Sequence, residues 1–251
     1  MNFKCNIIRF TLVLTFIVVS LLVACSSEES QEEKGMTIIH DFFDSSYEYT
    51  STHYTVDDKG TETVTCVYQG YLVNDPYQQY EVLEEDPHDS TSLTESYSYE
   101  ENDKIYYAMK LKSGEEEVWL PAYENERQDR LYNRDNLGFT LEDTQTDSNE
   151  QIAFSAEYKD VLEYGASKTI KVPYIISLEF IVDLEKEEVI QINIDNGDSS
   201  RAVAVARAIE NGNTQTEVEE SVKEGTDYIQ SGIIVDITKY TSDSPIDNPM
   251  M

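Results

Sequence analysis

The chain has 251 residues, with 18 Lys and Arg against 50 Asp and Glu and a formal charge of −32. That balance argues against nonspecific nucleic-acid binding, which needs cations clustered on phosphate, and against a polybasic membrane patch. Hydrophobic residues at 39% and aromatics at 11% mark a folded chain rather than a disordered one, and three cysteines are too few for a disulfide scaffold.

Lys4 and Arg9 give the chain a positive start, and 10–24 is apolar apart from Thr11, Thr15 and Ser20. A basic start, an apolar core and small residues make 1–24 a secretory signal. The apolar run is short for a membrane span, which needs about 20 such residues. Leu22, Val23, Ala24 and Cys25 resemble the lipobox of bacterial lipoproteins. The resemblance implies that Cys25 is the lipid attachment residue. It would carry a diacylglycerol on sulfur and become the new N-terminus, anchoring the protein to the outer face of the cell membrane. Two acyl chains suffice for stable attachment, at about 0.8 kcal/mol per buried CH₂. Cleavage removes Cys5 as well, so Cys66 is left as the only free thiol and no internal disulfide is available. Such cysteine poverty in an exported chain fits a Gram-positive source better than an oxidising periplasm.

Residues 25–35 read as a flexible, self-repelling acidic tether. A single domain is expected over 36–251, with a loose tail rich in Ser, Asp and Pro from 241. The dominant period inside it is two. Tyr47, Tyr49, Ser51 and His53 alternate with Glu48, Thr50, Thr52 and Tyr54, and Asp57 to Gly60 form a hairpin turn. Further strands are expected over 61–73, 77–83, 94–99, 104–111 and 116–120, separated by Asn74-Asp75-Pro76, a loop over 86–92, Glu101-Asn102-Asp103 and Ser113-Gly114. The charged stretch 124–133 suits one or two helical turns. Ile152, Phe154, Ala156 and Tyr158 alternate as a strand, and 159–164 reads as a weak helix ending at Gly165. The segments 174–183 and 188–194 form a β-branched hairpin. Residues 201–211 read as a helix capped by Asp198 or Ser199 and stopped by Gly212, although Val203, Val205 and Ile209 also fit a strand. A last strand is expected over 228–240.

This order resembles lipoproteins of the LolA/LppX-like group in Gly70 to Tyr77, in the hairpin over 178–195 and in the closing strand over 232–240. The resemblance implies a mainly β, α+β fold. Its large curved antiparallel sheet would form an unclosed half-barrel, with one or two helices over the concave face. It departs at the N-terminus, where only 36–43 is available for a helix. Such a half-barrel suits a hydrophobic ligand such as an acyl chain, or an envelope protein partner, and implies a non-enzymatic binder. Eighteen tyrosines suit an amphipathic lining, and equally suit ordinary half-buried strands. The alternative is an acidic surface module that meets a basic partner. A third reading is a hydrolase using carboxylates that spacing does not reveal.

None of the common catalytic motifs occurs. His40, His53 and His88 are far apart and lack cysteine partners, so no metal site or cofactor is expected. Gly165-Ala166-Ser167-Lys168-Thr169 lacks the second glycine of a nucleophile elbow. Cys66 sits mid-strand with no identifiable base and reads as a buried thiol. The acidic groups Asp195, Asn196, Asp198, Ser199 and Asp143, Asp147, Asn149 suggest calcium, but Gly197 is misplaced for an EF-hand. Trp119 is expected to plug one end of the core or to line a ligand mouth.

Overall fold

The structure is a computed structural model. It describes residues 30–57, 59–89, 91–102, 104–124, 137–141, 150–165, 169–214, 230–241 and 245–250. The lipobox residues Leu22, Val23, Ala24 and Cys25, the charged stretch beyond Glu124, and Asp143, Asp147 and Asn149 lie outside the described residues.

The elements follow in order: α1 (Gln31–Phe42), β1 (Ser46–Val56), β2 (Glu62–Val73), β3 (Gln78–Glu85), β4 (Leu93–Glu101), β5 (Lys104–Ser113), β6 (Glu116–Trp119) and β7 (Tyr123–Glu124). Then come β8 (Phe139–Leu141), β9 (Gln151–Tyr164), β10 (Ile170–Asp183), β11 (Glu188–Asp195), α2 (Gly197–Glu210) and β12 (Gln230–Thr241). All strands join one 12-stranded sheet in the order β6-β5-β4-β3-β2-β1-β12-β11-β10-β9-β8, with β7 beside β5. Every pairing is antiparallel, and the sheet does not close. It is an unclosed half-barrel made of two meanders. The last strand, β12, inserts between β1 and β11 and joins them.

β10 shows the pattern that builds the core. Ile170, Val172, Tyr174, Ile176, Leu178, Phe180 and Val182 are buried, while Lys171, Pro173, Ile175 and Ser177 between them face water. Both helices pack on the buried face. α1 contributes Ile38, Ile39 and Phe42, and α2 contributes Ala202, Val205 and Ala206. Phe154 and Phe180, both 0% exposed, lie at the centre. A side chain at Gly35 would meet the Phe154 ring 2.5 Å away, so only glycine fits where α1 crosses β9.

Three local expectations are corrected. Residues 159–164 are not a helix. They extend β9 and pair with β10 from Tyr164↔Ile170 to Lys159↔Ile175. Tyr158, Asp160, Leu162 and Tyr164 turn inward while Lys159, Val161 and Glu163 face water, so the period of two wins over local helix propensity. α1 starts at Gln31, five residues before Met36, because Ser30 caps it: Ser30 Oγ accepts from Glu33 N at 3.1 Å, and Glu33 accepts from Ser30 N at 3.0 Å. α2 is the expected helix, but it starts at Gly197, and its N-cap is Asn196 rather than Asp198 or Ser199.

Candidate functional site

The two meanders treat the inner face differently. The main core cluster draws on the helices and β8–β12, and of β1–β6 it takes only Tyr47. Yet the face itself continues. The rung Phe180–Ile192–Val235–Ser51–Tyr68–Leu83 runs across six strands from the sealed core into the N-terminal meander. Side chains directly opposite in an antiparallel pair share a face. The neighbouring rung is Tyr49–Gly70–Glu81–Ser96–Met109, followed by Leu72–Gln79–Ser98–Tyr107. Leu72, Leu83, Tyr107 and Met109 are half-buried, although they point the same way as fully buried Phe180.

At the centre of this surface is Glu81. Tyr49 Oη donates to Glu81 Oε1 at 2.9 Å, and Ser96 Oγ donates to Oε2 at 3.2 Å. Behind Tyr49 the chain of donors continues: Gln79 Nε2 donates to Tyr49 Oη at 2.6 Å, and Tyr77 Oη donates to Gln79 Oε1 at 2.9 Å. Gly70 makes the arrangement possible. The Tyr49 ring lies across the site where a Cβ would stand, 2.1–2.5 Å from it, and so spans β2 to reach β3.

Burial pushes the Glu81 carboxyl above the usual carboxylate range, partly offset by the hydrogen bonds from Tyr49 and Ser96. Burial, followed by the charge of Glu81, raises the Tyr49 phenol. Tyr107 and Cys66 are raised chiefly by burial, with Glu81 contributing, and Tyr68 is pushed up to about 12 in the same way. No Lys or Arg among the described residues forms an ion pair with Glu81. Glu95, on the opposite face of the sheet, is treated otherwise. It pairs with Lys110 at 2.6 Å and accepts from Tyr80 Oη at 2.5 Å.

The residues singled out from sequence are dispersed. His40 lies on α1 with its ring 6.4 Å from Phe139, and His88 is exposed between β3 and β4. His53 stacks edge-on to Tyr68 at 5.3 Å, and burial lowers its pKa. Among the described residues, no three His, Cys, Asp or Glu side chains are grouped to hold a metal ion. The Asp195–Ser199 turn is occupied by its own structure. Asp195 Oδ1 accepts from Gly197 N at 2.8 Å, Asp198 pairs with Arg201 at 2.5 Å, and Ser199 Oγ donates to Asn196 O at 2.8 Å. Trp119 does not plug the core. It ends β6, the outermost strand on its side, opposite Lys110. Cys66 is buried on the inner face.

Two clefts lie near β9. One of about 660 Å³ is lined by Gly138, Thr140, Ser155, Glu157 and Lys159. The other, of about 530 Å³, lies between β9, β10 and the start of α2. Their polar groups are engaged: Lys159 pairs with Glu157 at 3.2 Å, and Tyr174 Oη donates to Asp160 at 2.7 Å. Sequence reasoning missed Glu81, one acid among fifty. The available signal was Gly70, a glycine in mid-strand where another side chain must approach closely. No protein-family model matches the chain, and no curated protein is significantly similar to it.

Proposed function

We propose that the protein is a lipid-anchored extracytoplasmic lipoprotein that holds an apolar ligand on the inner face of its N-terminal meander, without catalysing a reaction. One observation carries the ligand-binding reading. The core face continues past the helices into Leu72, Leu83, Tyr107 and Met109, which stay half-buried. An apolar trough beside a few polar groups is the usual make-up of a small-molecule site. The anchor rests on the lipobox resemblance of Leu22 to Cys25.

Gentle extraction of the full-length protein followed by native mass spectrometry tests the reading. Bound lipid or another apolar molecule is expected on the wild-type chain, and its occupancy should fall sharply in Leu83→Glu and Met109→Glu. A ligand-free wild-type protein counts against the trough. Labelling with radioactive palmitate tests the anchor: incorporation is expected in the wild type and none in Cys25→Ala.

A further inference from the structure

We infer that the ligand's polar end is cationic, an amine or quaternary ammonium, and that Glu81 receives it. The inference rests on the reading of this face as a ligand trough, and adds the chemistry of the head group.

The geometry leaves Glu81 with acceptor capacity to spare. Each Glu81 oxygen accepts one donated hydrogen bond, from Tyr49 and from Ser96, and a carboxylate has acceptor capacity beyond two. The same sheet supplies Glu95 with Lys110 and Tyr80 on its other face, so the chain neutralises a half-buried glutamate elsewhere with its own lysine. At Glu81 no described Lys or Arg takes that place. The groups that share its face and feel its field are Tyr49 from β1, Cys66 and Tyr68 from β2 and Tyr107 from β5. Aromatic faces attract ammonium groups, most strongly where water is thinned. Burial without a counter-charge penalises the ionised carboxylate, and an arriving cation relieves that penalty.

The alternative heads fare worse. An anionic head would meet Glu81 itself and a chain of formal charge −32. A neutral hydroxyl would gain one hydrogen bond but would leave the buried charge unbalanced. The apolar part of a cationic amphiphile has Leu83 to lie on, two residues along β3 from Glu81, and Met109 on the same rung across Ser96.

The test uses full-length protein in lipid nanodiscs, titrated calorimetrically with hexyltrimethylammonium, hexanol and hexanesulfonate against empty nanodiscs. The three probes share one tail and differ in the head. The ammonium probe is expected to bind about tenfold or more tighter than the alcohol. Glu81→Gln should bring the two to parity, while Glu84→Gln, an exposed acid on the same strand, should keep the preference. Equal binding of all three heads by the wild type overturns the inference and leaves the trough standing. No binding by any probe overturns both. An equal loss of preference in Glu84→Gln and Glu81→Gln reduces the effect to general attraction by an acidic chain, which also overturns the inference. If Glu81 only ties β1, β3 and β4 together, the wild type shows no head-group preference; that comparison needs no variant to fold.

Discussion

Tyr49 lays its ring across Gly70 and sets its hydroxyl 2.9 Å from Glu81, so a residue of β1 reaches β3 over the top of β2. The contact makes a specific demand on Gly70. A methyl group there would lie within 2.5 Å of the Tyr49 ring, and the ring has no room to back away without leaving Glu81. Gly70→Ala is expected to cost about 2–3 kcal/mol by overpacking. In a Tyr49→Ala background the same change should cost much less, because the obstructing ring is gone. Urea denaturation of the wild type, both single variants and the double variant measures the coupling, expected at about 1 kcal/mol or more.

Glu81 fixes the sign of one pH effect. Its carboxyl holds a proton to higher pH in the folded chain than in the unfolded one, chiefly through burial. Above the ordinary glutamate value of about 4.3 the folded state therefore binds more protons than the unfolded state, and stability declines as pH rises through the folded value. Glu81→Gln lacks this contribution. Its stability relative to wild type should improve as pH is raised from about 4 to about 7, as read from chemical denaturation across that range. A difference that does not change with pH would show that Glu81 is not perturbed by folding.

What the sequence disclosed divides along the line between local and distant causes. The alternation of 47–54, the Asp57–Gly60 turn and the β-branched hairpin over 174–194 are readable because neighbours along the chain decide them. Residues 159–164 suit a helix locally, through Leu162 and Glu163, and it is pairing with the next strand, from Tyr164↔Ile170 to Lys159↔Ile175, that holds them extended. The start of α1 is legible in Ser30 and Glu33, which spell a capping box inside a stretch whose charge suggests a tether. Glu81 is legible only indirectly, through Gly70 in the middle of the neighbouring strand. Nothing near it in sequence distinguishes it from Glu84 or Glu85. It becomes singular only when register sets it beside Gly70 and Ser96.

The exposed edge of β10 gives a third expectation. β11 ends at Asp195, opposite Ser177, and among the described residues the preceding β10 backbone has no strand partner on that side. Asp198 Oδ2 accepts from Ile175 N at 2.7 Å, and Arg201 Nη2 donates to Pro173 O at 3.1 Å; Pro173 itself has no N–H to satisfy. The first turns of α2 thus close the edge that β11 leaves open. Asp198→Ala should cost about 1–2 kcal/mol, since it strands a backbone donor and releases Arg201. It should also raise the tendency to associate through the freed edge, as followed by light scattering on warming. Asp198→Asn keeps an acceptor for Ile175 and should associate less.

Asp183 provides the counterpart to Glu81, with the opposite sign. It is buried at the end of β10, where its Oδ1 accepts from Lys186 N at 2.9 Å and Glu185 N at 3.1 Å, and the Lys186 ammonium stands 3.2 Å from Oδ2. The Lys186 backbone N–H, together with its side chain, holds the carboxyl below the usual aspartate range. The folded chain therefore releases this proton more readily than the unfolded one. The stabilisation is present above the unfolded value of about 3.9 and disappears as pH falls through the folded value. Asp183→Ala is expected to cost about 2 kcal/mol near neutrality, from two lost charge-assisted hydrogen bonds in the tightest hairpin of the C-terminal meander. The cost should shrink on acidification, over the range in which the wild-type carboxyl becomes protonated. Plotted against pH, the stability of each variant relative to wild type should therefore slope in opposite directions, upward for Glu81→Gln and downward for Asp183→Ala. Parallel slopes would mean that at least one of the two carboxyls is not in the environment described.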